Sequence, residues 1–176
     1  MFIALTGTPG TGKTSVSNIL KDDGFDVLSI NEIALKNKFI SGLDRKRKTK
    51  ILDLDRLNDY ILKNYSSDNL IFIEGHASHL LELISKVIIL RCHPKKLQNR
   101  LEKKGWDKLK IRENIEAEAL DVILCEVVEI FSTDFIFEID TSCKDICKVA
   151  EDVKNIVDGK TDDYNFGNID WSSDLF

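Results

Sequence analysis

Gly7-Thr8-Pro9-Gly10-Thr11-Gly12-Lys13-Thr14, close to the start of the chain, fits the pattern G-x-x-x-x-G-K-S/T. Ahead of it, Phe2-Ile3-Ala4-Leu5 is a short apolar run that reads as a buried strand. Behind it, Val16, Ile19 and Leu20 recur at helical spacing within residues 15–21. Strand, glycine loop and helix together are the context in which this pattern cradles phosphate. Without Cβ atoms, Gly7, Gly10 and Gly12 let the backbone curl until successive N–H groups converge on phosphate oxygens. The helix that begins near Lys13 adds unpaired N–H groups and the positive end of its dipole. Lys13 brings a cation to the outer phosphates, and Thr14 offers a hydroxyl to Mg2+.

The rest of the chain supplies a frame for that loop. Further strands are expected at 26–30, 70–73, 86–90 and 135–139. Between them, helices are expected at 31–38, 53–64, 78–84, 94–103, 113–130 and 144–157, with Pro94 suited to a first turn. Residues 41–50 and 104–112 read as polar, basic loops, and the acidic tail 158–176 shows no period. Alternation of this kind predicts one α/β domain, a five-stranded parallel sheet covered by helices on both faces. Ligands on such sheets sit beyond the carboxyl ends of the strands. The phosphate loop, Glu74-Gly75-His76, Arg91-Cys92-His93 and Asp140-Thr141-Ser142 should therefore share one rim.

Composition narrows the setting. With 176 residues, 43% hydrophobic and 31% charged, the chain has the balance of one soluble domain. Its net charge of −5 argues against nucleic-acid binding by bulk electrostatics, leaving only a local patch for RNA. The most apolar stretch, 80–90, is broken by Glu82, Ser85 and Lys86, so no membrane span is expected. With the phosphate loop so near the first residue, no cleavable signal peptide is expected ahead of it. Cys92, Cys125, Cys143 and Cys147 form no C-x-x-C pair and read as reduced cytoplasmic thiols, mostly packing residues.

Glu74, at the end of an apolar strand, is either the acid that holds Mg2+ beside the loop or a solvated carboxylate. His76 either orients a water or substrate group near the terminal phosphate or is an ordinary loop histidine. Its H-x-x-H spacing with His79 lacks the further ligands that a metal centre needs, and His79 and His93 receive no role. Residues 103–112 carry five cations, Lys103, Lys104, Lys108, Lys110 and Arg112, and form either a lid over the phosphates or a solvated loop. Arg56 is suited to the phosphate of a second nucleotide, with Glu32 and Asp53 lining the same pocket. The basic run 45–50 is either solvated or an RNA-facing patch.

Taken in order, these motifs resemble one family over residues 1–157. It comprises the small archaeal adenylate kinases related to the eukaryotic nuclear adenylate kinase isoenzyme six of small ribosomal subunit maturation. The matching stretches are Leu5 through Ser15, Ile51-Leu52-Asp53-Leu54-Asp55-Arg56, Glu74-Gly75-His76, Arg100-Leu101-Glu102 and Glu113-Asn114-Ile115-Glu116-Ala117-Glu118. The resemblance implies a three-layer P-loop nucleoside monophosphate kinase fold and the reaction ATP + AMP = 2 ADP. It implies that Gly10, Thr11, Gly12, Lys13, Thr14 and Ser15 hold ATP phosphates, that Lys104 joins Lys13 on the moving phosphoryl group, and that Thr14 and Glu74 organise Mg2+. Residues 30–53 become the monophosphate-binding segment and 103–113 a short lid. It also implies ATP hydrolysis and a platform protein of the small ribosomal subunit as partner, in a 30S or pre-40S-type particle. The rival readings are an assembly ATPase with little kinase activity and a kinase for another nucleoside monophosphate. Glu74 stands where relatives often carry Asp, Lys104 where relatives can carry Arg, and the basic 45–50 run where some relatives are acidic.

Overall fold

Alternation along the first strand explains the layers. In the computed structural model, which describes residues 1–44 and 49–175, β1 (Phe2–Thr6) is buried throughout. Ile3 and Leu5 point to one face of the sheet, Phe2 and Ala4 to the other. A strand that buries both faces needs a continuous apolar run, which is what the sequence provides. Four more strands join it in the order β2-β5-β1-β6-β7, all parallel: β2 (Asp26–Ser29), β5 (Ile71–Glu74), β6 (Lys86–Arg91) and β7 (Ile136–Asp140). The expected five-stranded parallel sheet is present.

One face is covered by α1 (Lys13–Asp22) and α7 (Ile146–Val157), through Val16, Leu20, Val149, Val153 and Ile156. The opposite face packs α2 (Ile30–Asn37), α3 (Leu54–Asn64) and α6 (Val122–Ile130), through Ile30, Ala34, Leu57, Ile61 and Val127. A third, smaller core of Leu97, Leu101 and Ile111 joins α4 (Pro94–Lys103) to α5 (Lys108–Ala119), with Trp106 and Ile115 at its margin.

Several expectations are corrected. Residues 41–50 are not simply a loop: β3 (Ile40–Asp44) and β4 (Thr49–Leu52) form an antiparallel hairpin, bulged between Ile40 and Gly42. Its polar, half-exposed strands lack the clean alternation that marks a buried pair. Residues 45–48 of the basic run lie outside the described residues. The helix expected at 78–84 is only a 3₁₀ turn, Ser78–Leu80, continued by a tight turn in which Ile84 N–H donates to Leu81 O at 3.2 Å. Leu83 N–H donates to Asn58 Oδ1 at 3.2 Å, and just beyond it Ser85 N–H donates to Phe2 O at 3.0 Å.

The long helix 113–130 is two helices, α5 and α6, broken at Asp121 with φ of 54°. The segment 104–112 is correspondingly not a free loop. Asp107 caps α5 through Leu109 N–H at 2.9 Å, so Lys108, Lys110 and Arg112 ride on a helix. Only Cys92 is buried; Cys125, Cys143 and Cys147 are exposed rather than packing. The tail is tied down: Tyr164 Oη donates to Asp152 Oδ1 at 2.9 Å, Asn165 bridges Phe137, and Trp171 packs on the His93 ring at 4.9 Å. No helix among the described residues is long and apolar enough to cross a membrane.

Gly75, directly after Glu74, has no room for a side chain. An added Cβ would meet Ile30 Cγ1 at 2.4 Å and Cδ1 at 2.6 Å. Gly75→Ala should therefore destabilise the fold by about 1–3 kcal/mol, the usual range for overpacking. Denaturant unfolding measures this, and adding Ile30→Val should recover part of the loss. An unchanged midpoint in the single variant would contradict the packing described.

Candidate functional site

The loop after β1 is pinned from outside. Thr11 Oγ1 donates to Thr8 O at 2.9 Å, and Thr141 Oγ1 lies 2.8 Å from Thr11 O. Arg100 of α4 grips Thr141 through its hydroxyl at 3.0 Å and its carbonyl at 2.5 Å. Gly7 must stay bare, since a Cβ there would approach the Leu90 carbonyl oxygen to 2.4 Å, and its φ is 136°. Gly12 stands at the start of α1 with φ of 110° and no side-chain cap, so the first-turn N–H groups stay available.

Lys13 folds back over this loop. Its Nζ donates to Gly7 O at 2.6 Å and Thr8 O at 3.0 Å, and the residue is only 8% exposed. Burial pushes its pKa down to about 8, against the pull of Glu74 and Glu118, and Lys104 lowers it further. Thr14 Oγ1 donates to Glu74 Oε1 at 3.4 Å, which sets a hydroxyl beside a buried carboxylate at the lip of the loop. Two hard oxygen donors beside a phosphate cradle suit Mg2+, which takes few protein ligands and completes its shell with water and phosphate oxygens. No cluster of three or more His, Cys, Asp or Glu side chains suited to a metal occurs among the described residues.

A cleft of about 910 Å³ runs from this loop across the rim. Gly10, Gly12, Lys13, Thr14, Ser15, Glu74, His76 and Lys104 all line it; Thr11 lies buried behind it. Glu32, Asp53 and Arg56 do not line it. Glu32 is exposed in the first turn of α2, where its N–H meets the Ser29 cap at 3.4 Å. Asp53 caps α3 through Arg56 N–H at 3.2 Å, and the two side chains pair at 3.4 Å with Arg56 67% exposed. A helix cap accounts for them both. The cleft is also lined by Asn31, Ile51 and Leu52, which fall within the expected 30–53 segment, and by Leu80, Val122 and Glu126, to which the sequence reading gave no role.

His76 opens onto the cleft between its two ends. Partial burial, then the Lys13 and His79 charges, lower its pKa, while Glu126 raises it, so the ring is neutral near pH 7. His79, given no role from sequence, is buried behind it.

The loop also connects to an ionic hub. Arg91, at the end of β6, donates to Glu118 Oε1 at 2.9 Å, to Glu118 O at 3.1 Å, and to Glu138 and Asp121. Glu118 also accepts from Cys92 N–H at 2.9 Å and from the Thr8 hydroxyl of the loop. Burial alone would lower the Arg91 pKa, but Glu118 and Glu138 reverse that, so the guanidinium stays charged. A strand-end Arg and an acid twenty-seven positions later carry no sequence signal that joins them; only the rim placement of Arg91 was legible.

Comparison with known proteins agrees with this geometry. A model of the family described as "AAA domain" matches residues 3–121. A Methanococcus maripaludis protein is 41% identical, over 100% of this chain and 98% of its own length. An Archaeoglobus fulgidus protein is 40% identical, over 99% and 94%. Both carry the description "Putative adenylate kinase". The chain belongs to this archaeal family. Among solved structures, a shikimate kinase from Acinetobacter baumannii superposes with a TM-score of 0.60 at 14% identity, covering 90% of this chain and 93% of that one. The family therefore shares the P-loop kinase fold.

Arg91→Met tests the hub. It leaves Glu118 and Glu138 buried without their cation and should cost roughly 3–5 kcal/mol, the range for breaking a buried pair from one side. Chemical denaturation reads this directly; a loss below about 1 kcal/mol would mean the hub does not hold the loop to α5.

Proposed function

We propose that the protein is a nucleoside monophosphate kinase that moves the γ-phosphoryl group of ATP to AMP, giving two ADP. The observation that carries this reading is the single continuous cleft. It has a phosphate cradle with Lys13, Thr14 and Glu74 at one end and an apolar pocket with polar edges at the other. The family's "Putative adenylate kinase" members support the same assignment.

ATP phosphates would rest against the Gly10–Ser15 backbone, and Lys13 would leave its carbonyl partners for the β- and γ-oxygens. An oxygen of the acceptor phosphate attacks the γ-phosphorus while the bridging bond to the β-phosphate breaks. The transition state is loose, so the protein's work is alignment and charge compensation. Lys13 and Lys104, which both line the cleft, would supply the compensating charge. Thr14 and Glu74 would hold Mg2+. The ion would supply positive charge against the charge that develops during transfer. Glu32, Asp53 and Arg56 are assigned no part in binding AMP.

A second reading rests on His76, a neutral ring facing the cleft beside Lys13, which is placed to orient a water in place of the acceptor. On that reading ATP hydrolysis accompanies the transfer, and a basic platform protein of the small ribosomal subunit would meet a body of net charge −5. Following ADP with and without AMP, and then with that ribosomal protein added, separates the two. AMP should raise the rate. If it does not and the ribosomal protein does, the assembly ATPase displaces the kinase.

Lys13→Ala should lower turnover by roughly 10²–10³-fold with the fold retained by circular dichroism, the range for losing one charge-stabilising group. Near-normal turnover would overturn the assignment. The Lys13 pKa also has a consequence for pH. With the free protein's ammonium titrating at about 8, a bound triphosphate raises that pKa. ATP binding at pH 8.5 should thus take up protons, and affinity should fall as pH climbs past 8. Calorimetry in buffers of different ionisation enthalpy measures the uptake, which Lys13→Met should abolish.

A further inference from the structure

The acceptor end of the cleft carries one acidic group held by a buried device. Glu126 Oε2 lies 3.0 Å from His79 Nε2, and the glutamate side chain is 48% exposed while that of His79 is fully covered. His79 Nδ1 in turn lies 3.1 Å from Thr6 Oγ1, at the end of β1 just before the phosphate loop. The buried imidazole bridges the two groups, Nε2 facing the carboxylate and Nδ1 facing the Thr6 hydroxyl, which also donates to His76 O at 3.2 Å. Burial lowers the His79 pKa, opposed by Glu126.

This arrangement leaves Glu126 Oε1 without a hydrogen bond among the described residues, on a side chain that lines the cleft. Apolar side chains share the cleft with it. Val122 and Ile123 stand one turn earlier on the same face of α6, and Leu80, Ile51 and Leu52 line the same cleft. A flat ring fits such walls, and a fixed carboxylate oxygen among them accepts hydrogen bonds but donates none.

We propose that Glu126, positioned by His79 and Thr6, is the specificity-determining residue of the acceptor site and takes a hydrogen bond from an exocyclic amino group on the acceptor's base. This rests on the kinase reading for which end of the cleft receives the acceptor. The class it selects is nucleoside monophosphates whose base presents an N–H donor at that edge. A base lacking the amino group leaves the carboxylate desolvated and unpaired, and sites of this design reject such analogues strongly. A ribose hydroxyl is the other donor that a nucleotide could bring to the same oxygen.

The test measures binding by calorimetry, apart from turnover, with three probes: AMP, purine riboside 5′-monophosphate lacking the amino group, and 2′-deoxy-AMP. The intact protein should bind AMP about 10-fold or more tightly than the desamino analogue, and 2′-deoxy-AMP within about 3-fold of AMP. In Glu126→Ala the amino preference should fall to within about 2-fold with ATP affinity unchanged, while the unpaired His79 Nε2 lowers the melting temperature without unfolding the protein. Glu126→Gln, which keeps the shape but not the charge, should fall between the two. If Glu126→Ala keeps the full preference, or if the missing 2′-hydroxyl rather than the amino group causes the loss, the inference is overturned. If the intact protein discriminates as expected yet transfers no phosphoryl group, the binding role stands and the kinase reading fails instead. Failure to bind any of the three probes overturns it.

Discussion

A guanidinium sealed from water decides how the outer helices meet the sheet. Arg91 ends a buried strand and would be prohibitively costly there alone, so carboxylates have to come to it. Glu118 arrives from the end of α5, Glu138 from β7, and Asp121 from the junction between α5 and α6. The unusual backbone at Asp121 and the break between the two helices follow from that demand, because Arg91 also takes the Glu118 carbonyl. Even the tail answers to it: Gly167 N–H donates to Glu138 Oε2 at 2.6 Å.

The same hub reaches the phosphate loop through Thr8, and Arg100 reaches it from the other side through Thr141. The loop is thereby gripped by side chains from outside while Gly10, Gly12, Lys13 and Thr14 line the cleft. Preorganisation of this kind means that little has to move when phosphates arrive. Lys13 is the exception. It is buried, with its pKa lowered, and parked on carbonyl oxygens, a cation kept at low dielectric where an incoming anion gains most from it.

Charge is divided along the cleft. Lys13 and Lys104 stand at the cradle and Glu126 at the apolar end, with His76 between. The sheet that supports these groups is shared with a shikimate kinase at 14% identity, so the sheet by itself says little about the acceptor. The hairpin β3–β4, α5 and α6 all contribute side chains to the cleft, so its chemistry is set by those elements as well as by the strand ends.

The sequence by itself determined the loop, five strands and their parallel direction, though not the order in which they lie, since a glycine-rich motif between an apolar run and a helix is a local signal read at short range. It also determined that Lys13, Thr14, Glu74 and His76 share a rim, because strand ends in a parallel sheet lie on one side. It did not determine the hairpin, the split between α5 and α6, or the acceptor end. Glu32, Asp53 and Arg56 looked suitable by residue type, yet a local helix cap consumes two of them, while His79 and Glu126 lie 3.0 Å apart despite forty-seven positions of separation. Those outcomes belonged to tertiary structure for one reason. A buried charge or imidazole must be matched by whatever the folded chain brings within hydrogen-bond reach, and one-dimensional spacing does not record that proximity.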